Sequence, residues 1–173
     1  GMEEQVVLID SEGNEIGLMG KIEAHEKGLR HKAFSVLLYN DNNQMLLQQR
    51  ASGKYHWPLI WSNACCSHPR KGESTEDAAH RRLNEELGID TDLKFEFSFI
   101  YKAFDEASGL IEHELDEVFT GTYNDEIPFN SEEVESVKWI SLDELEEDIK
   151  LHPEKYSVWF KIILDEIKKR ETV

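Results

Sequence analysis

The feature that most constrains the fold is a helix with a marked start and a marked end, in the segment STEDAAHRRLNEELGI. Ser74 or Thr75 can cap its first turn, and Gly88 can end it after Leu87. Runs typical of β-strands lie on both sides of this segment. Because these helical and strand patterns alternate along the chain, the helix is expected to pack on a sheet, which predicts an α+β domain.

The runs typical of β-strands fall in three regions. Residues 33–49 contain two runs joined by an Asn/Asp-rich turn, which predicts a hairpin. Residues 95–104 and 110–123 flank a turn with a Ser-Gly pair and predict a second antiparallel pair. Residues 134–140 form a further strand. A mixed β-sheet is therefore expected to form the core.

Two more helices are predicted towards the C-terminus. The sequence SLDE at residues 141–144 is a capping box that opens an acidic helix. Apolar residues recur at helical spacing over about 156–170, where three cations close the helix. Since no repeat or linker interrupts the pattern, residues 1–173 are expected to form one domain with helices packed on the sheet. Gly1, before Met2, is interpreted as an expression remnant.

The charge of the chain limits its partners. It has 36 acidic and 19 basic residues, and a formal net charge of -17. This charge repels nucleic acid and anionic membranes, so neither is expected as a partner. No membrane span or secretion leader is recognisable, and the adjacent Cys65 and Cys66 close almost no loop, which favours reduced thiols. A cytoplasmic protein is expected, as a monomer or a homodimer.

The loop and helix over residues 67–89 can be aligned with the Nudix box, G-x5-E-x7-R-E-U-x-E-E-x-G-U, where U is a bulky aliphatic residue. Ser67 departs from the first Gly, and Arg82 departs from the first helical Glu. Arg82 and Glu86 share one face of the helix, so Arg82 removes a metal ligand and adds a donor that can bind phosphate. This change argues against ordinary Nudix hydrolysis. The same charged residues would also occur on an ordinary solvent-exposed helix with intrahelical ion pairs, which is the alternative to a Nudix box. The matching residues are Glu73, Arg81, Leu83, Glu85, Glu86, Gly88 and Ile89.

The segment KYHWPLIWSNACCSHPRKGE, residues 54–73, places Cys66 two residues before His68. Here the chain resembles the type I isopentenyl-diphosphate isomerases, whose motif includes a Lys, an aromatic-Pro pair, a Trp and Asn-x-x-Cys-x-His-Pro. The resemblance extends over about residues 25–160, through AHEKGLRHKAF, LLQQRASGK, AAHRRLNEELGI, YKAFDEASGLIEHELDEVF and YSVWF. Within it the chain departs from common family residues at Leu59, Ala64, Ser67 and Val158.

The resemblance implies a metal site made of three histidines and two glutamates. Glu112 and Glu114 are two apart on a predicted strand, so both carboxylates can enter one site, although the polar outer face of a strand has the same pattern. Such a donor set suits Mg²⁺, Mn²⁺ or Zn²⁺. The implied ligands are His25, His31, His68, Glu112 and Glu114. The other histidines, His56, His80, His113 and His152, are interpreted as structural.

The resemblance also implies the chemistry, which interconverts isopentenyl diphosphate and dimethylallyl diphosphate. Cys66 and Glu114 would lie on opposite faces of the substrate as acid and base, with Tyr101 hydrogen-bonded beside them. The π-face of Trp159 would lie against the developing positive charge. Cys65 is interpreted as a small buried hydrophobic residue.

The diphosphate of this small prenyl substrate needs cations, which an acidic chain must gather locally. By resemblance these are Arg50, Lys54 and Arg82, with Lys21 as a weaker candidate. A Mg²⁺ ion on Glu86 would bridge the diphosphate.

Two other functions are compatible with parts of the sequence. The first is a Nudix hydrolase of another organic diphosphate. The second is a non-catalytic binding module stabilised by zinc on Cys65, Cys66 and the histidines.

Overall fold

The structure is a computed structural model that describes residues 4–54 and 57–171. In this part of the chain, nine strands form one mixed sheet and four α-helices pack around it. A 3-10 turn, Pro153–Lys155, separates the last two helices. The strands are β1 (Gln5–Ile9), β2 (Glu15–Gly20), β3 (His31–Tyr39), β4 (Gln44–Arg50), β5 (Trp61–Ser62), β6 (Cys65–Ser67), β7 (Lys94–Asp105), β8 (Leu110–Thr122) and β9 (Val134–Ser141). The helices are α1 (Lys21–Lys27), α2 (Thr75–Leu87), α3 (Leu142–Leu151) and α4 (Val158–Glu171).

Strand β3 is the centre of the sheet. One edge pairs in parallel with β8 along the whole strand, from His31 opposite Glu114 to Tyr39 opposite Thr122. Because a strand has two edges, the other edge is shared by β1, β6 and β4 in succession. Antiparallel pairs extend the sheet outward, from β8 to β7 and from β4 to β9.

Two hydrophobic cores lie on opposite faces of the sheet. Phe34, Val36 and Leu38 alternate along β3 and pack with the apolar side of α2. Leu37 points the other way and packs with residues of α3 and α4. The sheet is therefore covered by helices on both faces.

Helix α2 begins and ends where the sequence predicts. The Ser74 hydroxyl accepts a hydrogen bond from the Asp77 N–H at 3.1 Å. Gly88 has φ of 66°, and its N–H donates to the carbonyl of Asn84 at 3.0 Å. A Cβ at Gly88 would lie 2.8 Å from the Pro128 carbonyl oxygen, so glycine is required there on two grounds.

The strand predictions are also confirmed, with one difference in pairing. Strands β3 and β4 follow the predicted turn, but their ladder has a single Cα pair, Tyr39 opposite Met45. The strands then diverge, because β3 pairs with β6 while β4 pairs with β9. The capping box is present, since the Ser141 hydroxyl accepts from the Glu144 N–H at 3.2 Å.

The C-terminal helix begins at Val158, two residues after the predicted start at about 156. Tyr156 forms an isolated β-bridge with Trp61, and the Ser157 N–H donates to the Trp61 carbonyl at 2.9 Å. The backbone of Tyr156 and Ser157 therefore pairs with β5, and the helix starts only after these two residues. The helix ends at Glu171, close to the predicted end.

The N-terminal elements β1, β2 and α1 were not predicted. They are short, and β2 is mostly exposed or half-buried, so its apolar pattern is weak. No helix in residues 4–54 and 57–171 has the length and apolar character needed to cross a membrane.

Candidate active site

Four buried side chains converge where α1, β3, β8 and the segment after β6 meet. Their ligand atoms all lie within 4.8 Å of one another. Each comes from a different element, so the cluster exists only in the folded chain. Its members are His25, His31, His68 and Glu114.

Hydrogen bonds orient the imidazoles of this cluster. The His31 Nδ1–H donates to the Leu29 carbonyl at 2.9 Å, which turns Nε2 towards the cluster. That Nε2 lies 3.0 Å from Glu114 Oε2, and His68 Nε2 lies 2.5 Å from the same oxygen. Although burial opposes charge, the histidines hold the pKa of Glu114 well below its ordinary value. Three imidazoles around an ionised carboxylate are able to hold a divalent metal ion.

Glu112 lies beside the cluster. Its Oε1 is 4.0 Å from His25 Nε2, and its Oε2 accepts a hydrogen bond from the Tyr101 hydroxyl at 2.7 Å. The same hydroxyl also contacts Glu114 Oε1. Tyr101 on β7 therefore joins the two carboxylates that β8 presents on one face, and burial with these neighbours raises the pKa of its phenol well above the ordinary value.

The Cys66 thiol has four polar neighbours, of which Ser62 Oγ is the most distant at 3.9 Å. Trp159 Nε1–H donates to its Sγ at 3.0 Å, and Asn63 Oδ1 lies at the same distance on the accepting side. Ser35 Oγ is 3.6 Å away. Burial raises the pKa of the Cys66 thiol to about 12, and the nearby Asp116 carboxylate adds to this increase. At neutral pH the side chain is thus a neutral thiol with a proton to give.

Asn63 is a site residue to which the sequence analysis gave no role. Its Nδ2 donates to the carbonyls of Val36 at 2.9 Å and Cys65 at 3.0 Å. The two carbonyls fix the orientation of the amide, so that Oδ1 faces Cys66 and accepts from its thiol. The available signal was its place in the Asn-x-x-Cys motif.

Asp116 and Ser35 were also missed. Ser35 Oγ–H donates to Asp116 Oδ2 at 2.7 Å, and both side chains are buried. Burial and the charge of Glu114 raise the pKa of Asp116 well above its ordinary value. The signal was the continued alternation of carboxylates on β8, where Asp116 follows Glu112 and Glu114 on the same face.

The cations expected to bind diphosphate border the same cavity as Cys66 and the cluster. Arg82 on α2 pairs with Glu85 at 2.6 Å and with Glu86 at 3.2 Å. Glu86 lies outside the four-residue cluster and also accepts from the Cys65 thiol at 3.3 Å. The cavity is lined by Lys21, Arg50, Lys54, Arg82 and Glu86 together with Cys66, His68, Tyr101, Glu112, Glu114, Asp116 and Trp159.

The two cysteines face opposite sides of the sheet. Cys65 is fully buried in the core beside α2, whereas Cys66 lies on the α4 side with Trp159. Cys65 is buried as predicted, and its hydrogen bond to Glu86 adds a polar contact that a simple hydrophobic residue would lack.

The remaining histidines in the described residues have partners outside the cluster. His80 Nδ1 lies 2.7 Å from Asp90, and His113 Nδ1 lies 3.2 Å from the Gly28 carbonyl. His152 is at the end of α3. His56 lies outside the residues that the structure describes.

Curated relatives cover nearly the whole chain. Isopentenyl-diphosphate Delta-isomerase 2 of Aromatoleum aromaticum is 46% identical over 166 residues, which are 96% of this chain and 87% of the relative. Isopentenyl-diphosphate Delta-isomerase of Photobacterium profundum is 48% identical over 170 residues, covering 94% and 93%. The chain belongs to the type I isopentenyl-diphosphate isomerase family. The resemblance of its motifs to this family is thereby confirmed.

This isomerase family lies in the Nudix superfamily, and the NUDIX domain model matches residues 29–160. A solved protein of Deinococcus radiodurans superposes with a TM-score of 0.70 at 17% identity, covering 86% of this chain and 90% of its own. A MutT protein of Methanosarcina mazei has a TM-score of 0.68 at 16% identity, covering 83% and 96%. These likenesses show the fold, and the expected α+β domain is confirmed as a fold of Nudix type.

Proposed function

We propose that this member of the isomerase family interconverts isopentenyl diphosphate and dimethylallyl diphosphate. The observation that carries the proposal is the pair of Cys66 and Glu114 in one cavity. They lie on β6 and β8, the two strands that flank β3. Cys66 lies opposite Ser35 on one edge of β3, and Glu114 lies opposite His31 on the other edge, four residues further along that strand. A neutral thiol and an ionised carboxylate therefore line one cavity from opposite sides of β3.

These two groups can move the double bond by general acid and base chemistry. One gives a proton to the terminal carbon of the double bond, and the other removes a proton from the carbon on the diphosphate side. Both side chains are largely enclosed, which protects a carbocation-like species from water. Tyr101 holds Glu114 through its hydroxyl and fixes the direction of that carboxylate.

Trp159 supports the same reaction from α4. Because its N–H is bonded to Cys66, the indole is fixed in rotation and its ring lines the cavity. A fixed aromatic face beside the reacting carbons stabilises positive charge by about 2 kcal/mol when water is excluded.

Divalent ions complete the proposed site. His25, His31, His68 and Glu114, with Glu112 beside them, would hold Mn²⁺, Zn²⁺ or Mg²⁺. Glu86 would hold a Mg²⁺, which would supply positive charge to neutralise the diphosphate. Coordination at this site would polarise the Glu114 carboxyl and fix its orientation. Arg50, Lys54, Arg82 and Lys21 would bind the phosphate oxygens directly. Because Cys66 acts as a thiol, a reducing compartment such as the cytoplasm suits the reaction.

The test is an incubation of the purified protein with isopentenyl diphosphate, Mg²⁺ and Mn²⁺ in D₂O, following deuterium in the product and release of phosphate. The parent and Cys65→Ala should form deuterated dimethylallyl diphosphate, whereas Cys66→Ala should not. Phosphate release without isomerisation would point to a hydrolase. An absence of reaction in the parent would favour a binding module.

A further inference from the structure

The carboxylate of Glu133 lies beside the cavity, and it has no role in the proposed reaction. Its Oε2 contacts the Lys54 ammonium and lies 3.3 Å from Arg82 Nη2. Lys54 belongs to the connection between β4 and β5, whereas Arg82 is on α2. One carboxylate oxygen thus joins two cations that come from separate elements.

Main-chain hydrogen bonds fix the position of Glu133. Its N–H donates to the Asn130 carbonyl at 3.0 Å, and the Asn130 N–H donates to the Glu86 carbonyl at 2.8 Å, which ties the turn to α2. Its own carbonyl accepts from the Ala51 N–H at 3.3 Å, which ties it to the β4–β5 connection. The carboxylate is therefore anchored on both elements independently of its side-chain partners.

Lys54 and Arg82 depend on this carboxylate to different degrees. Arg82 also contacts Glu85 and Glu86, so it is oriented from α2 itself. Lys54 has a flexible stem that would otherwise sample many rotamers and be repelled by the guanidinium. The negative charge of Glu133 brings the two like charges together, and the cation pair in turn lowers the pKa of Glu133.

We propose that Glu133 is a positioning residue that holds Lys54 beside Arg82, so that both cations meet one diphosphate. The inference rests on the proposed function for the identity of the anion. Glu133 itself would touch neither the reacting carbons nor Cys66. Its loss should therefore weaken binding of the diphosphate and leave the chemical step unchanged.

Calorimetric titration with inorganic pyrophosphate and Mg²⁺ tests this without relying on turnover. Glu133→Gln should raise the Kd about tenfold, since an ordered charge-assisted contact is lost. Glu132→Gln is the matched control, because Glu132 is the exposed neighbour and carries the same charge. Its Kd should stay within about twofold of the parent value. An unchanged or lower Kd in Glu133→Gln would overturn the proposal, and a lower one would make Glu133 a competitor of the ligand.

A double-mutant cycle with Lys54→Met locates the effect. If Glu133 acts through Lys54, adding Glu133→Gln to Lys54→Met should change the Kd by less than about threefold. Full additivity of the two changes would contradict the proposal. In the isomerase assay, Glu133→Gln should raise KM about tenfold with kcat within about twofold of the parent. A parent that binds pyrophosphate without isomerising would remove the proposed function and leave the calorimetric result on Glu133 intact.

Discussion

The indole N–H of Trp159 donates a hydrogen bond to the Sγ of Cys66 over 3.0 Å. The bond crosses from α4 to β6, so the last helix of the chain controls the environment of the candidate acid. Asn63 accepts on the other side of the same sulfur. The thiol therefore has a defined donor and a defined acceptor before any substrate enters.

Trp159→Phe keeps an aromatic ring and removes the donor to Cys66. The loss of one hydrogen bond to the sulfur should lower kcat about tenfold and change KM less than about threefold. Steady-state kinetics with isopentenyl diphosphate measure both constants. Trp139→Phe, in the core beside α2, is the control and should keep the parent kcat. An equal decrease in kcat in both variants would contradict a specific role of the bond between Trp159 and Cys66.

The Cys66 thiol should react slowly with iodoacetamide at neutral pH. Its pKa of about 12 leaves on the order of 0.01% of the side chain as thiolate at pH 8. In Cys65→Ala protein, which has one cysteine left, the alkylation rate should rise without a plateau from pH 7 to pH 10. The same protein unfolded in guanidinium should react like free cysteine. A plateau near pH 8 to 9 in the folded protein would contradict the burial argument.

Metal binding at the histidine cluster should stabilise the fold. Binding at a hundredfold excess over Kd contributes about 2.7 kcal/mol, so Mn²⁺ added to chelator-treated protein should raise Tm by several degrees. His31→Gln should lose most of this increase, because its Nε2 faces the cluster. His80→Gln, on the surface, should keep it. The check is thermal unfolding with metal content measured in parallel, and an equal Tm increase in both variants would count against the cluster.

The ion pair of Glu73 with Arg81 should make stability fall in acid. Two Arg81 nitrogens lie 2.9 Å from the carboxylate, and their hydrogen bonds lower the pKa of Glu73. A lowered folded pKa stabilises the protein above the unfolded value of about 4.3, and this contribution is lost as pH falls through the folded value.

Glu73→Gln should therefore lower the free energy of unfolding by about 1–2 kcal/mol at pH 7. The difference in unfolding free energy between this variant and the parent should shrink below pH 4. Urea unfolding at several pH values measures it. Glu76→Gln, in the exposed first turn of α2, should show a much smaller difference. A gap between Glu73→Gln and the parent that stayed constant with pH would exclude this ion pair as the cause.

Local signals explain why much of the fold could be predicted. The caps at Ser74 and Gly88 act within a few residues, so the bounds of α2 followed from the sequence. Tyr156 shows the limit, because its bridge to Trp61 comes from a strand far away in the chain. The short ladder between β3 and β4 also depends on distant residues, because β3 pairs with β6 and β4 pairs with β9. That residues 1–173 form a single domain stays a prediction.

Part of the candidate site could likewise be predicted from the sequence, and part of it depends on contacts that only the fold supplies. His25, His31, His68 and Glu114 could be named from the family motif, and the structure brings their ligand atoms together. Glu133 could not be named, because its contacts with Lys54 and Arg82 depend on how one turn packs on another element. Asn63 was visible in the motif, but its acceptor role depends on two backbone carbonyls that only the fold supplies.

Strand β6 is three residues long, and its pairing with β3 places Cys66 opposite Ser35 and Cys65 opposite Val36. Successive side chains on a strand point to opposite faces, so a slip by one residue would exchange the two thiols. Such a misfolded species would keep its total thiol content and present a sulfur to each core. It would nevertheless lose the spacing from the sulfur to His68. A small inactive fraction of this kind would escape a simple thiol count and would be seen only as active-site titres below one per chain.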